Sequence, residues 1–374
     1  MAHAYTPGLK VTNYTVLRKS RILPLKGDVL VEAGAEVDPD TVVAKTLLPG
    51  DVIPVNVANA LGIEPNEVPE CMRKKEGDAC KKDELLAESK SFFGLFKGTV
   101  KAPHDGTVES VSKVTGQVII RKEPMPVQVT AYMKGRVVSV IENEGVEIES
   151  PCSFVQGIFG VGGETHGQIA FACSAPKEIL DEGKVSEAFK DKVVVGGALV
   201  TAGAIKKLIS VGARGLVTGG IDDIDLREFL GYDIGVAITG TEDFGITIVV
   251  TEGFGNIQMS GKTFTLLQSH EGHEASINGA TQIRAGVIRP EVIIPIEEAG
   301  PSEGGRKNFS HGLDIGTPVR IIRQPWFGAL GTVSALPSEL QVLESGSKAR
   351  VVEVKIEEGD TVIVPRANIE ILEE

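Results

Sequence analysis

The chain has 374 residues, of which 42% are hydrophobic and 5% aromatic, and its formal net charge is −13. The length predicts two or three domains, and the acidic charge disfavours nonspecific binding to nucleic acid because it repels phosphate backbones. The 44 glycines and 19 prolines predict many turns and short strands, whose cores must consist mainly of Val, Ile, Leu and Ala.

The sequence contains no segment that would direct the chain to a membrane. Residues 1–20 lack the apolar region of a signal peptide, and no stretch approaches the roughly 18 apolar residues of a membrane span. The cysteines are far apart and form no CxxC motif, which argues against a zinc site or a disulfide framework; they are Cys71, Cys80, Cys152 and Cys173. We expect a cytoplasmic protein without a metal or cofactor, in which these thiols are buried.

An internal repeat occupies the N-terminal region. The segment "GAEVDPDTVVAK" begins at Gly34, and "GDACKKDELLAE" begins at Gly77. Each copy has a turn glycine, an apolar residue, a polar turn with an aspartate and a short apolar strand, which is typical of a sandwich of β-hairpins. Between the copies, "VIPVNVANALGIEPNEV" predicts a strand followed by one short helix that ends near Pro65.

The second copy continues into "GTVKAPHDGTVESVSKVTGQVIIR", in which valines alternate with polar residues. Together with "EGDACKKDELLAE", this segment resembles the lipoyl/biotinyl and wider barrel-sandwich hybrid superfamily over residues 26–124. Carrier members hold a modified lysine at the tip of a tight hairpin. Here the corresponding interval, "SKSFFGLFKGTV", is longer, and it offers Lys90 and Lys97 without the flanking signature. The resemblance therefore implies the fold without the carried group.

This apolar interval predicts a contact with a partner, through Phe92, Phe93 and Phe96. Residues 127–150 predict three further strands that pair with the sandwich or lead to the next domain. The first domain is therefore predicted to span residues 1–150.

Residues 151–311 predict a small α/β domain. A strand at Val193–Val195 is followed by a glycine turn and by a helix that carries Ala204, Ile205 and Leu208 at helical spacing and ends at Gly212. A second strand, a short helix over "DDIDLREFLG" and the strands "IGVAITG" and "ITIVVTEGFG" follow. This alternation of strands and helices predicts a partly parallel sheet.

The strand ends of this domain are candidate sites for a small anionic ligand. Helix N-termini bind anions, and ligands lie at the carboxyl ends of strands in open α/β sheets. The candidate ligand-binding residues are Gly196, Gly197, Thr201, Thr218, Gly219 and Glu252. In the alternative interpretation, the glycines serve only tight connections.

Two further segments carry titratable residues. In "GIFGVGGETHG", residues 157–167, Glu164 and His166 could act as acid and base, or the segment could be a turn-rich linker. In "SHEGHEASINGATQIRAG", residues 269–286, His270 and His273 do not form the H-E-x-x-H metal motif. We expect a polar loop there.

Residues 312–374 resemble a KOW-type, SH3-like β-barrel in "GTPVRIIRQPWFGALGTVSALP" and "ARVVEVKIEEGDTVIVPRANIEIL". Members of that family contact RNA or RNA polymerase. However, this segment has six basic and ten acidic residues, a net charge of −4, which is the wrong sign for phosphate contact. Trp326 and Phe327 at a turn are predicted to contact a protein partner, or to belong to the barrel core.

The sequence therefore predicts a multidomain, β-rich α+β protein: a barrel-sandwich hybrid, a central small α/β domain and a C-terminal SH3-like barrel. The leading functional hypothesis is a non-catalytic scaffold or adaptor of a cytoplasmic protein assembly, linked to transcription or translation through the KOW resemblance. The first alternative is a small-ligand-binding protein or enzyme that uses the strand ends. The second is a nucleic-acid-binding protein, which the charge disfavours. No reaction is identified.

Overall fold

The computed structural model describes residues 9–89, 98–231, 244–281, 288–296, 313–321, 326, 329–337, 340–342, 348–356 and 359–371. In these residues the protein is β-rich, with strands in several sheets and few helices.

The elements of the N-terminal region are strands and two short helices. The strands are β1 (Val11–Ile22), β2 (Asp28–Val29), β3 (Glu36–Val37), β4 (Val42–Leu48), β5 (Val52–Asn56), β6 (Ala79–Cys80), β7 (Leu85–Glu88), β8 (Thr99–Lys101), β9 (Gly106–Val111), β10 (Gln117–Arg121), β11 (Met125–Thr130), β12 (Gly135–Ile141) and β13 (Gly145–Gln156). The helices are α1 (Val57–Leu61) and α2 (Val68–Cys71), separated by a 3-10 turn at Pro65–Glu67. The predicted strand and short helix correspond to β5 and α1, and α2 is an additional helix that the sequence did not predict.

The middle region alternates strands and helices. Its strands are β14 (Phe159–Val161), β15 (Glu164–Phe171), β16 (Ile179–Leu180), β17 (Lys192–Val195), β18 (Leu199–Val200), β19 (Gly215–Ile221), β20 (Thr247–Phe254), β21 (Glu274–Asn278) and β22 (Glu291–Pro295). Its helices are α3 (Ala202–Val211), α4 (Asp223–Leu230) and α5 (Gly261–Ser269), with 3-10 turns at Glu182–Lys184 and Glu187–Phe189.

One sheet of 13 described strands forms the centre of the molecule, in the main order β14-β20-β19-β17-β15-β21-β22-β13-β12-β3. Strands β15, β17, β19 and β20 are parallel, as the alternation of strands and helices predicted. Helices α3 and α4 pack on one face of these strands through Ile205 and Leu226, and α5 packs on the other through Phe264 and Leu267.

Strand β13 joins the N-terminal region to this sheet. Its first half pairs with β12 and its second half with β22, while β1 pairs along the length of its other edge. The predicted domain boundary at residue 150 lies inside this strand. The regions on either side of that residue therefore share one sheet.

Two segments that the sequence predicted as irregular are strands. Residues 157–167, read as a candidate turn-rich linker, contribute β14 and the start of β15. Residues 274–278, predicted as part of a polar loop, form β21, which is buried between β15 and β22. Its Ser276 is fully buried together with Ala275 and Ile277. The polar composition of this segment therefore led to a wrong prediction of a loop.

The N-terminal region consists of two modules, one inserted in the other. The outer module comprises residues 11–48 and 125–149, and the nested module comprises residues 52–121, which lie between the paired strands β4 and β11. Each module has its own core: Val43 and Ile148 lie in the outer one, Leu86 and Ile120 in the nested one.

The same backbone hydrogen bonds recur in both modules. Gly34 donates to Val137 O at 2.7 Å and Ala131 donates to Thr41 O at 2.8 Å. In the nested module, Gly77 donates to Val108 O and Ala102 donates to Glu84 O, both at 2.8 Å. A residue in the first half of the outer module corresponds to the residue 43 positions later in the nested module, and a residue in its second half corresponds to the residue 29 positions earlier. The internal repeat therefore includes both halves of each module.

The C-terminal region forms a separate sheet of six described strands with its own core, which includes Val319, Val333 and Val352. The strands are β23 (Pro318–Ile321), β24 (Leu330–Ala335), β25 (Leu340–Val342), β26 (Lys348–Ile356), β27 (Thr361–Pro365) and β28 (Ile369–Ile371), and a 3-10 turn occupies Arg366–Asn368. Pro325, Phe327 and Gly328, three positions on which the KOW resemblance rests, lie outside the described residues.

Candidate functional site

The protein's own backbone closes the ends of β17 and β19. A Cβ atom at Gly197 would lie 2.2 Å from Glu178 O, and one at Gly219 would lie 2.5 Å from Ile257 O. Gly219 also donates a hydrogen bond to Gly197 O at 2.7 Å. Because real Cβ contacts are longer than these distances, both positions require glycine for close chain packing.

The other candidate ligand groups at these strand ends have partners within the protein. The Thr201 hydroxyl accepts a hydrogen bond from Ala204 N at 3.1 Å and caps α3. The fully buried Thr218 donates to Gly220 O at 3.3 Å. Gly196 lies beside both Thr218 and Leu180, so these residues form a packed corner of the sheet.

Glu252, at the end of β20, connects the central sheet to the C-terminal region. One of its carboxylate oxygens accepts from Ser260 N at 2.9 Å, at the start of α5, and the other forms an ion pair with Arg320 of β23. The Glu252 and Arg320 side chains are 6% and 5% exposed. This contact links β20 to β23, and removal of either side chain would leave a buried charge without compensation.

A partly open cleft lies beside this ion pair. It has a volume of about 400 Å³ including the part open to solvent, and Thr251, Glu252, Ser260, Lys262 and Arg320 are among its lining residues. Among the described lining residues, Lys262 and Arg320 are basic and Glu252 is acidic, and Arg320 is paired with Glu252. Of the predicted strand-end residues, Glu252 is the one that lines it.

A polar cluster connects the outer module to the central sheet. Arg21 of β1 binds Glu164 of β15 through two hydrogen bonds of 2.7 and 2.6 Å. The hydroxyl of Tyr132 donates to Glu291 at 3.2 Å, and Lys19 lies 2.6 Å from the same carboxylate. Burial, followed by the charge of Glu291, raises the pKa of Tyr132 well above its usual value, so its hydroxyl keeps its proton.

His166 lies in the same cluster, between two carboxylates. Its Nδ1 is 2.6 Å from Glu274 of β21, and its Nε2 is 3.0 Å from Asp40, in the turn between β3 and β4. Arg214 donates to the His166 carbonyl at 3.4 Å. The candidate acid and base of the sequence, Glu164 and His166, therefore both make contacts between the outer module and the central sheet.

His270 follows the last residue of α5, its ring lies edge-on to that of His273 with 5.5 Å between the ring centroids, and it contacts Ser153 of β13. The Ser153 hydroxyl donates to Asn13 O at 2.7 Å and lies 2.8 Å from His270 Nε2. Because this serine is 1% exposed, it is closed to substrates. Burial, together with His273, lowers the pKa of His270, as expected for a structural histidine.

All four cysteines are buried and free, as the sequence predicted. Burial raises the pKa of the Cys152 thiol to about 12 and raises that of Cys173. A thiol is nucleophilic only as the thiolate, so neither side chain is activated.

Among the predicted partner-contact residues, Trp326 is 39% exposed. Phe92, Phe93, Phe96 and Phe327 lie outside the described residues, as do Lys90 and Lys97.

Sequence reasoning missed the polar cluster of Lys19, Arg21, Tyr132 and Glu291, and the ion pair formed by Arg320. The partners are more than 60 positions apart, and no local pattern connects them. A signal did exist for the second half of the repeat. The segments "AYMKGRVVSV", from Ala131, and "APHDGTVESV", from Ala102, share Ala, Gly, Val, Ser and Val at matching positions.

No protein-family model matches the chain, and no curated protein matches it significantly. Within the described residues, the helices are too short or too polar to cross a bilayer. The same residues contain no group of three or more His, Cys, Asp or Glu side chains placed to hold a metal ion.

Proposed function

We propose that the protein is a non-catalytic scaffold that holds a partner protein in an assembly. The observation that carries this proposal is the closure of the central strand ends. The chain's own backbone fills the space at Gly197 and Gly219, and Arg320 of the C-terminal region binds Glu252. The positions where an α/β sheet presents its ligands therefore hold the molecule together.

The proposal includes a finer assignment of the modules. We infer that the outer and nested modules are both barrel-sandwich hybrids and that the C-terminal region is an SH3-like barrel. The matched hydrogen bonds of Gly34 and Gly77 support the first assignment. The antiparallel strands β23, β24, β26 and β27 around a common core support the second. Both kinds of module are small β-structures suited to protein contacts.

A scaffold of this kind presents side chains to its partners without a reacting centre. Trp326, an indole that is 39% exposed on the C-terminal region, fits such a contact because aromatic side chains anchor protein interfaces. The net charge of −13 favours a protein partner over nucleic acid.

The test is purification of the tagged full chain from its own host at native expression level, followed by native mass spectrometry. We expect a stoichiometric protein partner, and an intact chain mass that equals the sequence mass. A chain that is always recovered alone would overturn the scaffold. An added lipoyl or biotinyl mass on Lys90 or Lys97 would show that the protein is a carrier of that group and would overturn the scaffold proposal.

The cleft beside Glu252 supports a second candidate function, the binding of a small anion. Lys262, Arg320 and the start of α5 would receive a carboxylate or phosphate there. Thermal-shift measurements with phosphate and citrate test this candidate. Stabilisation should be present in the wild type and lost in Lys262→Ala, whereas Lys113→Ala, on the hairpin between β9 and β10, should keep it. Equal shifts in both variants would exclude the cleft as the site at which the anion binds.

A further inference from the structure

The first turn of α5 leaves hydrogen-bond donors unused beside the cleft. This helix follows the parallel strand β20 and begins with Gly261, after the N-cap residue Ser260. Its first backbone hydrogen bond runs from Phe264 N to Ser260 O, at 2.9 Å. The N–H groups of residues 261–263 therefore have no partner within the helix, and the Ser260 hydroxyl does not cap them.

The side chain of Thr263 is an independent indication of a ligand. Thr263 is 2% exposed and lines the cleft, and its hydroxyl makes no hydrogen bond with any described residue. Among the described residues, the fully enclosed polar atoms without a partner are His104 Nε2 and Ser276 Oγ. The Thr263 hydroxyl is therefore not sealed off and reaches the open space of the cleft. Because buried hydroxyl groups have hydrogen-bond partners, we expect a partner that enters from outside.

Lys262 is the cation that remains available in the cleft. Its side chain is exposed and makes no salt bridge with any described residue. Arg320, the other basic residue of the lining, is paired with Glu252. One ammonium group, the hydroxyl groups of Ser260 and Thr263, and the first N–H groups of α5 are thus free for a ligand. All of them can donate hydrogen bonds, so they fit an anion.

The number of these donors favours a phosphate group over a carboxylate. A carboxylate offers two oxygens, whereas a phosphate monoester offers three and carries up to two negative charges. The residues Gly261, Lys262 and Thr263 also match the end of the P-loop motif, in which the lysine and the hydroxyl contact phosphate and its metal ion. Here five residues, rather than four, separate Gly255 from Gly261, so the complete loop of that motif is not implied.

The cleft also has an apolar part, formed by Leu9, Val11 and Leu330. Inorganic phosphate would leave these side chains without a contact. A phosphate ester with an apolar body would cover them and gain from the removal of their surface from water.

We propose that the start of α5 binds the phosphate group of a small organic phosphate monoester. The Lys262 ammonium, the Thr263 hydroxyl and the N–H groups of residues 261–263 would hold the phosphate, and the apolar part of the cleft would contact the rest of the ligand. The inference rests on the second proposed function, the binding of an anion in the cleft, because it names the class of that anion.

The test measures binding to the purified full chain by isothermal titration calorimetry with three probes. Phenyl phosphate should bind about tenfold more tightly than benzoate, which has the same ring but a planar carboxylate. It should bind about fivefold more tightly than inorganic phosphate, which has no apolar body. In NMR spectra of the wild type, phenyl phosphate should shift the amide signals of residues 261–263.

Two variants and a matched control test the assigned groups. Thr263→Val removes the hydroxyl at nearly constant volume, and Lys262→Met removes the charge. Each should weaken phenyl phosphate binding about tenfold, because each deletes a hydrogen bond to a charged group. Thr265→Val, at an exposed threonine of the same helix, should bind as the wild type does. Thermal unfolding without ligand shows that each variant has folded.

Different results separate this inference from anion binding in general. If benzoate binds as tightly as phenyl phosphate, or if Thr263→Val binds as the wild type does, the phosphate site is overturned while Lys262-dependent binding of anions stands. Inorganic phosphate that binds as tightly as phenyl phosphate overturns the organic ligand. If none of the three probes binds the wild type or shifts residues 261–263, anion binding in the cleft is overturned as well.

Discussion

The outer and nested modules share matched backbone hydrogen bonds, but they differ in their surroundings and in the conformation of individual turn residues. Both place a glycine with a positive φ at the start of the repeat, Gly34 at +90° and Gly77 at +89°. However, Tyr132 of the outer module is buried against the central sheet, while the equivalent Pro103 is exposed. Backbone geometry therefore comes from a few repeated small and apolar residues, and the turn side chains determine what each copy contacts.

The largest expected effect comes from a matched pair of substitutions, Gly135→Ala in the outer module and Gly106→Ala in the nested one. The added methyl group would lie 2.4 Å from Glu149 O or 2.3 Å from Arg121 O. We expect each change to lower the free energy of unfolding by about 3 kcal/mol, because neither carbonyl can move without breaking strand pairing. Urea denaturation measures this loss.

Hydrogen exchange of the same variants sharpens the comparison. Gly106→Ala should reduce protection mainly within residues 52–121, whereas Gly135→Ala should also affect the 13-stranded sheet, to which β12 belongs. Gly261→Ala, with no heavy atom within 4 Å of the added group, is the control. Equal loss of protection in the central sheet for both variants would show that the modules do not unfold separately.

Removal of the Tyr132 hydroxyl tests the contact between the outer module and the central sheet. Tyr132→Phe deletes the hydrogen bond to the buried Glu291, and we expect a loss of about 2 kcal/mol, since hydrogen bonds to charged groups contribute ~1.5–3 kcal/mol. Tyr14→Phe, at a side chain that is 49% exposed, should change stability little. If both variants unfold at the same urea concentration as the wild type, the hydrogen bond from Tyr132 to Glu291 contributes nothing measurable to stability.

The sequence predicted the elements with strong local patterns. Helices α3 and α4 end at Gly212 and Gly231 as predicted, with φ of +81° and +77°, because only a glycine takes that conformation readily. Strand β21 was missed because Ser276 is polar although fully buried. Glu252 was selected from its strand-end position, but its partner Arg320 is 68 positions away and no local pattern could identify it.

The extent of the repeat was only partly predictable. The first halves, from Gly34 and Gly77, were visible in the sequence. Because the nested module is inserted into the outer one, the matching second halves occur in the reverse order along the chain, with Ala102 before Ala131. A search for a repeat with one constant period cannot detect that arrangement.

A smaller effect on stability is expected from acid, and it should differ between the central sheet and the nested module. Burial lowers the pKa of His270 in the folded chain, so the unfolded chain binds a proton more readily. Stability is therefore greatest above the unfolded value of about 6.5, and it falls as the pH drops below that value toward the folded pKa.

His270→Asn should reduce this pH dependence in urea denaturation between pH 7.5 and 5.5. In hydrogen exchange of the wild type at low pH, the loss of protection should be localised to β13, where Ser153 contacts the His270 ring. The nested module should keep its protection. If the unfolding free energy of His270→Asn changes with pH as steeply as that of the wild type, the acid sensitivity comes from other groups.

The smallest expected effect on stability distinguishes the turn at residues 38–41 of the outer module from the exposed turn at residues 81–84 of the nested module, at one matched position. Asp40→Asn weakens the contact with His166 and should cost about 0.5 kcal/mol, since this carboxylate is largely exposed. Asp83→Asn, at the equivalent position with φ of +66°, should be neutral, because asparagine tolerates the left-handed conformation. If Asp83→Asn were the more damaging change, the contact of Asp40 with His166 would contribute less to stability than the local structure of the exposed turn.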